Sequence, residues 1–190
     1  MFVRNVLSFL SNVISISYKE AYMSKKIVIS VSTVIILFSI SIYKYVQFNN
    51  NRLNNYSDRL LWLATNTSNS VWEITEHATT EEYFNQSVKN LITNLYALHT
   101  ALDSGKILLL GDDINGSRLY YSLDSLIEGL NYNNLNKTTI EELNAITRAT
   151  DILIQRFRPY EGDGKNISKK EIIEAIQLSS SEMRIIESLE

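Results

Sequence analysis

Read for hydrophobic periodicity, the chain falls into two unlike parts. From Ile27 to Phe48 apolar residues are dense on every side, and no charge occurs before Lys44. From Leu53 onward apolar residues recur at intervals of three and four. The first pattern predicts a helix in an apolar medium. The second predicts helices that each bury one face.

The first stretch, IVISVSTVIILFSISIYKYVQF, is 22 residues long, and Lys44 is its only charge. About 20 apolar residues cross a bilayer as a helix. Its 17 uncharged residues, Ile27–Tyr43, are too many for a strand. Tyr22, Tyr43 and Tyr45 stand where interfacial aromatic rings sit, and Lys25, Lys26 and Lys44 can snorkel to headgroups. Ser30, Ser32, Thr33, Ser39 and Ser41 are tolerated because a helical hydroxyl can bond the preceding turn's carbonyl. Residues 27–48 therefore read as a single transmembrane helix, with the lipid bilayer as their partner. An alternative is a cleaved export signal starting at Met23, with Ser39-Ile40-Ser41 at the cleavage site. Tyr43-Lys44-Tyr45 argues for a retained anchor instead.

Residues 1–26 precede the span. Phe2, Val3, Val6, Phe9, Leu10, Val13 and Ile16 recur at helical spacing, opposite Arg4, Asn5, Ser8 and Asn12. This is an amphipathic, cytoplasmic segment that can lie on a membrane surface. If Met23 is the true start, the segment is not part of the protein.

Residues 49–190 read as an antiparallel bundle of four to five helices, so the fold class is all-α. Residues 1–104 contain neither Gly nor Pro, which argues against strands joined by turns. The first helix takes 50–77, with the stripe Leu53, Tyr56, Leu60, Leu63, Thr67, Val71 and Ile74. The second opens on a capping box, Thr79 with Glu82, and ends at Gly105. Its seam is Phe84, Val88, Leu91, Leu95, Leu98 and Leu102, spaced as in a coiled coil. Asn94, about 100° off that seam, reads as a surface position. Lys106–Gly116 is irregular, and a third helix takes Ser117–Leu130. The fourth is capped by Thr138 with Glu141 and follows Ile140, Leu143, Ile146, Thr150, Leu153 and Phe157 until Pro159 stops it. The fifth is capped by Ser168 with Glu171, and Ile167 and Ile172 occupy the staple positions. Ile172, Ile176, Ser179, Met183 and Ile186 form its face.

Charge sharpens the division. Residues 45–190 hold 13 basic and 20 acidic side chains, a net −7, against +3 for residues 1–26. Basic residues on the N-terminal side of the span place the N-terminus in the cytoplasm and the C-terminal domain outside. An acidic domain is repelled by nucleic acid, so none is expected as a partner. Richness in Asn, Ile, Lys and Tyr fits an AT-rich bacterial genome.

Candidate chemistry is thin. The chain has no cysteine, which excludes disulfides, thiolate metal sites and thiol catalysis. Glu161–Glu171 resembles a calcium loop only loosely. With Glu161 first, Lys165 takes the fifth position, Asn166 replaces the glycine, and Glu171 falls one residue early. Gly111–Gly116 fails likewise. His77 and His99 form no helical metal pair. Phosphate-loop and nucleophile-elbow spacings do not occur. Glu81/Glu82 and Glu141/Glu142 are first-turn carboxylates that complement helix dipoles. Catalytic, cofactor and metal sites are accordingly read as none. Ala64–Ser70, small and mostly polar, is framed by Trp62 and Trp72 and reads as a solvated stretch.

The sequence thus points to a membrane-anchored, non-enzymatic envelope protein that acts by binding a protein partner or by self-association. Two rivals stand beside it. One is an anchored or exported enzyme whose site no local motif encodes. The other is a membrane-active N-terminus working with the span.

Overall fold

Leu53, Tyr56, Leu60, Leu63, Thr67, Val71 and Ile74 are all buried in the computed structural model of the protein, as their spacing predicts. The structure describes residues 25–105, 129–132, 135, 137–162 and 165–187. Among them are four α-helices and no strand. Helix α1 is Lys25–Trp72 and continues into a π-helical turn, Glu73–His77. Helix α2 is Glu81–Gly105. Helix α3 is Lys137–Phe157, followed by a 3-10 turn, Arg158–Tyr160, at Pro159. Helix α4 is Lys169–Glu187. The Met1–Tyr22 segment, the Lys106–Gly116 stretch and all but the last two residues of the expected 117–130 helix lie outside the described residues.

Contacts divide the chain into two units, Met1–Phe48 and Asn49–Glu190. In the first, α1 is long and apolar enough to cross a membrane, and no side chain from Ser30 to Phe48 is buried. Val34 is 63% exposed and Leu37 59%. Ser39 and Ser41 donate hydrogen bonds to the carbonyls of Ile35 and Leu37, each at 2.8 Å. Those hydroxyls are satisfied inside the helix and ask nothing of water.

The second unit has its own core. Helices α1 and α2 run antiparallel, because hydrogen-bond partners rise in one and fall in the other. Tyr56 Oη donates to the Ala101 carbonyl at 3.1 Å. Asn94 Nδ2 donates to Ser70 Oγ at 3.2 Å. Ser87 Oγ donates to Glu73 Oε2 at 3.2 Å. The seam of α2 is buried, with Val88 only partly so. Helix α2 ends at Gly105, where a Cβ would overlap the Tyr56 ring and hydroxyl. Helices α3 and α4 are antiparallel too: Arg148 Nε meets Glu182 Oε2 at 2.9 Å, and Tyr160 meets Glu171 across the turn. Asn54 ties that turn to α1. Its side chain donates to Asn166 Oδ1 at 3.2 Å and accepts the Ile167 N–H at 3.1 Å.

One of the three expected capping boxes forms as spaced. The Glu171 N–H donates to Ser168 Oγ, and the Ser168 N–H donates to Glu171 Oε2, at 3.2 and 2.8 Å. Ile167 and Ile172, the staple positions, are 2% and 0% exposed. The second helix is capped one residue later than expected. Thr80 Oγ1 accepts the Tyr83 N–H at 3.2 Å. The Thr79 carbonyl instead accepts from Tyr132 Oη at 3.0 Å. Helix α3 begins at Lys137, so Thr138 lies inside it rather than capping it. Ile140 is 42% exposed, whereas Thr139 and Glu142 are buried. In this first turn the inward position is thus Thr139 rather than Ile140, and Thr139 packs against Gly129, where a Cβ would have no room.

Candidate functional site

The groups that could carry chemistry are dispersed or already engaged. No group of three or more His, Cys, Asp or Glu gathers among the described residues. His99 pairs with Asp103 on its own helix at 3.2 Å. His77 ends the π-helical turn and meets Trp72 edge-to-face, ring centroids 3.8 Å apart. Glu81 and Glu82 occupy the first turn of α2, where negative charge is favoured.

The loosely calcium-like loop is a helix cap. Glu171 Oε1 accepts from the Tyr160 hydroxyl at 2.6 Å, and Oε2 accepts from the Ser168 backbone. Tyr160 first, then Ser168, hold the Glu171 carboxyl below its ordinary pKa, and the same bond raises the Tyr160 phenol. Both carboxylate oxygens therefore serve the turn between α3 and α4. Gly162, at φ 73°, supplies the left-handed residue that this turn needs. Asp163 lies outside the described residues. Burial pushes the Tyr56 phenol well above its ordinary pKa, so this hydroxyl is a structural donor and stays protonated.

The small-residue stretch is not solvated as expected. Ala64, Thr67 and Ser70 are buried, and Asn94 of α2 reaches across to the Asn66 carbonyl and Ser70 Oγ. Small side chains here let two helices approach closely. Thr67 and Ser70 turn their hydroxyls onto carbonyls of the preceding turn, which keeps the contact free of unpaired polar atoms.

The tryptophans that frame this stretch face outward. Trp62 is 63% exposed and Trp72 54%. They lie on the opposite face of α1, in the row Asp58, Trp62, Thr65, Asn69, Trp72 and Glu76, spaced alternately four and three. This row borders a crevice against α3 and the turn after it. A groove of about 460 Å³ holds Trp62 with Arg158 and Glu161. A larger one of about 740 Å³ holds Trp72 with Leu135, Ile140 and Asp151. The misplaced Ile140 thus has a location: it forms part of an apolar floor beside Trp72. Sequence reasoning picked out the two tryptophans but not the crevice, because only packing of α1 on α3 creates it. No family model, curated protein or solved structure matches the chain, so its own geometry must carry any functional reading.

Proposed function

We propose that this is a single-pass membrane protein of the cell envelope, with a cytoplasmic N-terminus and an external helical domain that works by binding. We read residues 49–190 as an antiparallel bundle of four to five helices, serving as an accessory, adaptor or sensing subunit rather than an enzyme. The supporting observation is the bare apolar surface of Ser30–Phe48 beside a domain that closes its own core. Each exposed Leu, Ile, Val or Phe forgoes about 1.5–3 kcal/mol that an apolar surrounding would supply. A water-soluble helix does not carry such side chains around its full circumference. Lipid supplies that surrounding, and the internally bonded Ser39 and Ser41 hydroxyls fit it. Lys25 and Lys26 immediately before the span favour the stated orientation.

The test is extraction and protection of the full chain in its host membrane. The chain should stay with membranes at alkaline pH and dissolve in detergent. Protease added to intact cells stripped of outer barriers should digest the domain. Release into the aqueous phase at alkaline pH would overturn the anchor. A domain cut only after lysis would reverse the orientation.

A further inference from the structure

We propose that the α1–α3 crevice is the docking site for a basic amphipathic helix of another protein, seated on Trp62 and Trp72. This rests on the reading of the domain as a binding module and names its surface and the chemistry of its partner. Trp62 and Trp72 are the only tryptophans in the chain, and both are exposed. Tryptophan is buried on average in a folded protein, and Trp is enriched among the few residues that carry most of the binding energy at interfaces. Here both lie in one row on one helix, ten residues and about 15 Å apart along its axis. An occupant touching both must span about three helical turns.

Charge selects the occupant. Among the described residues Asp58, Glu76, Asp151 and Glu161 line the two grooves, against Arg158 alone. None of the four carboxylates is in an ion pair among the described residues. Each groove also has an apolar floor, Trp62 with Leu61 in the first and Trp72 with Leu135 and Ile140 in the second. Acidic flanks around an apolar floor complement a helix with an apolar stripe bordered by Lys or Arg. A second copy of this domain would bring like charge to like charge. Anionic headgroups are disfavoured for the same reason.

The two tryptophans also make the test direct, because all intrinsic indole fluorescence comes from this surface. The full chain is placed in nanodiscs of neutral phosphatidylcholine, or in buffer if it proves soluble. It is titrated with a tryptophan-free Leu/Lys amphipathic helical peptide of about five turns. A Leu/Glu peptide of the same pattern and a scrambled Leu/Lys peptide serve as controls, and empty nanodiscs correct for lipid binding. The Leu/Lys peptide alone should shift the emission to the blue. Trp72→Ala should weaken its binding about tenfold or more, in the hot-spot range. Glu76→Lys combined with Asp151→Lys should reverse the preference in favour of the Leu/Glu peptide. A melt by circular dichroism confirms that each variant is folded. Equal binding of both charged peptides, or no spectral shift, overturns the proposal. A blue shift that instead follows protein concentration, with a dimer in sedimentation, assigns the surface to a second copy and also overturns it. Failure here with the chain still held in membranes leaves the anchor standing. Peptide binding by a chain that partitions into water removes the anchor and leaves the docking surface.

Discussion

Helix α1 contains two surfaces built on one backbone. Over Ser30–Phe48 most apolar side chains are exposed and none is buried, and no residue is acidic. Over Asn49–Trp72 the apolar residues other than Trp62 and Trp72 collapse into one buried stripe, and the outward face carries those two rings with Asp58, Arg59 and Asn69. Hydroxyls behave alike in both parts. Ser39 and Ser41 bond carbonyls one turn back, and so do Thr65, Thr67 and Ser70. The parts therefore differ in the surroundings each requires, and not in how the helix is made. Helical propensity is common to both, whereas the arrangement of apolar residues separates a surface for lipid from a surface for protein.

The sharpest way to break this comparison is to remove one leucine from each surface. Leu95, on the α2 seam, is 1% exposed and should cost the folded domain about 2–5 kcal/mol when replaced by Ala. Leu37, 59% exposed, should leave the urea midpoint of the domain unchanged when replaced in the same way. Equal shifts would mean that Leu37 packs within the protein and that the bare surface is covered by the chain itself.

The converse substitution is a charge. Ile36→Lys, in the exposed stretch, should disfavour membrane insertion by about 2.5–3.5 kcal/mol and move much of the chain out of the membrane fraction. Asn69→Lys, on the outward face of the second part, should change neither partition nor melting. Retention of the Ile36→Lys chain in alkali-washed membranes would show that residues 30–48 are not at bilayer depth.

A smaller effect is expected where backbone meets ring. Gly105→Ala puts a methyl group into the Tyr56 side chain. Overpacking of this kind costs about 1–3 kcal/mol. Gly129→Ala gives an independent comparison, since its Cβ would meet the Thr139 hydroxyl first. Thermal melts that rank Gly105→Ala as the milder of the two would show that the Tyr56 ring can yield.

How far the sequence foretold this arrangement depends on which residues decided it. The stripes of α1 and α2 and the Ser168–Glu171 cap were legible because each depends on residues at most a turn or two apart. The α2 cap was misplaced by one residue. Thr79 and Thr80 are adjacent, and Tyr132, far along the chain, is what claims the Thr79 carbonyl. Ile140 fits a helical stripe by spacing, yet in the first turn it is Thr139, one position earlier and packed on Gly129, that faces inward. The small-residue stretch looked solvated because polarity alone cannot reveal an approaching Asn94. The crevice was illegible for the same reason. Its two rows belong to helices more than sixty residues apart in sequence, and only packing brings them together.

Asn94 makes that lesson measurable. By position off the seam it should be dispensable. By its bonds to Ser70 Oγ and the Asn66 carbonyl it is a link between α1 and α2. Asn94→Ala should therefore cost about 0.5–1.5 kcal/mol, the range for one net hydrogen bond. Asn90→Ala, at an exposed position one turn earlier whose side chain accepts from Gln86 on the same helix, should cost less. Indistinguishable urea midpoints for the two variants would show that the interhelical bond contributes nothing.

The smallest predicted effect separates the two surfaces by pH. Glu171 is ionised in the cap, and its folded pKa lies below the ordinary carboxyl value because Tyr160 and Ser168 donate to the charged form. A carboxyl with a depressed folded pKa binds fewer protons in the native state than in the unfolded state. Its contribution is thus complete above the unfolded pKa of about 4.3 and is lost as pH falls through the depressed folded value. The group is largely exposed, so solvent screening keeps that contribution small. Glu171→Gln should lower the melting temperature slightly at neutral pH and flatten its decline at acid pH. Ser30–Phe48 carries no Asp or Glu, so the same acidification should leave membrane partition unchanged. An acid limb that survives intact in Glu171→Gln would assign the proton uptake to other carboxylates and leave this cap without a role in pH-dependent stability.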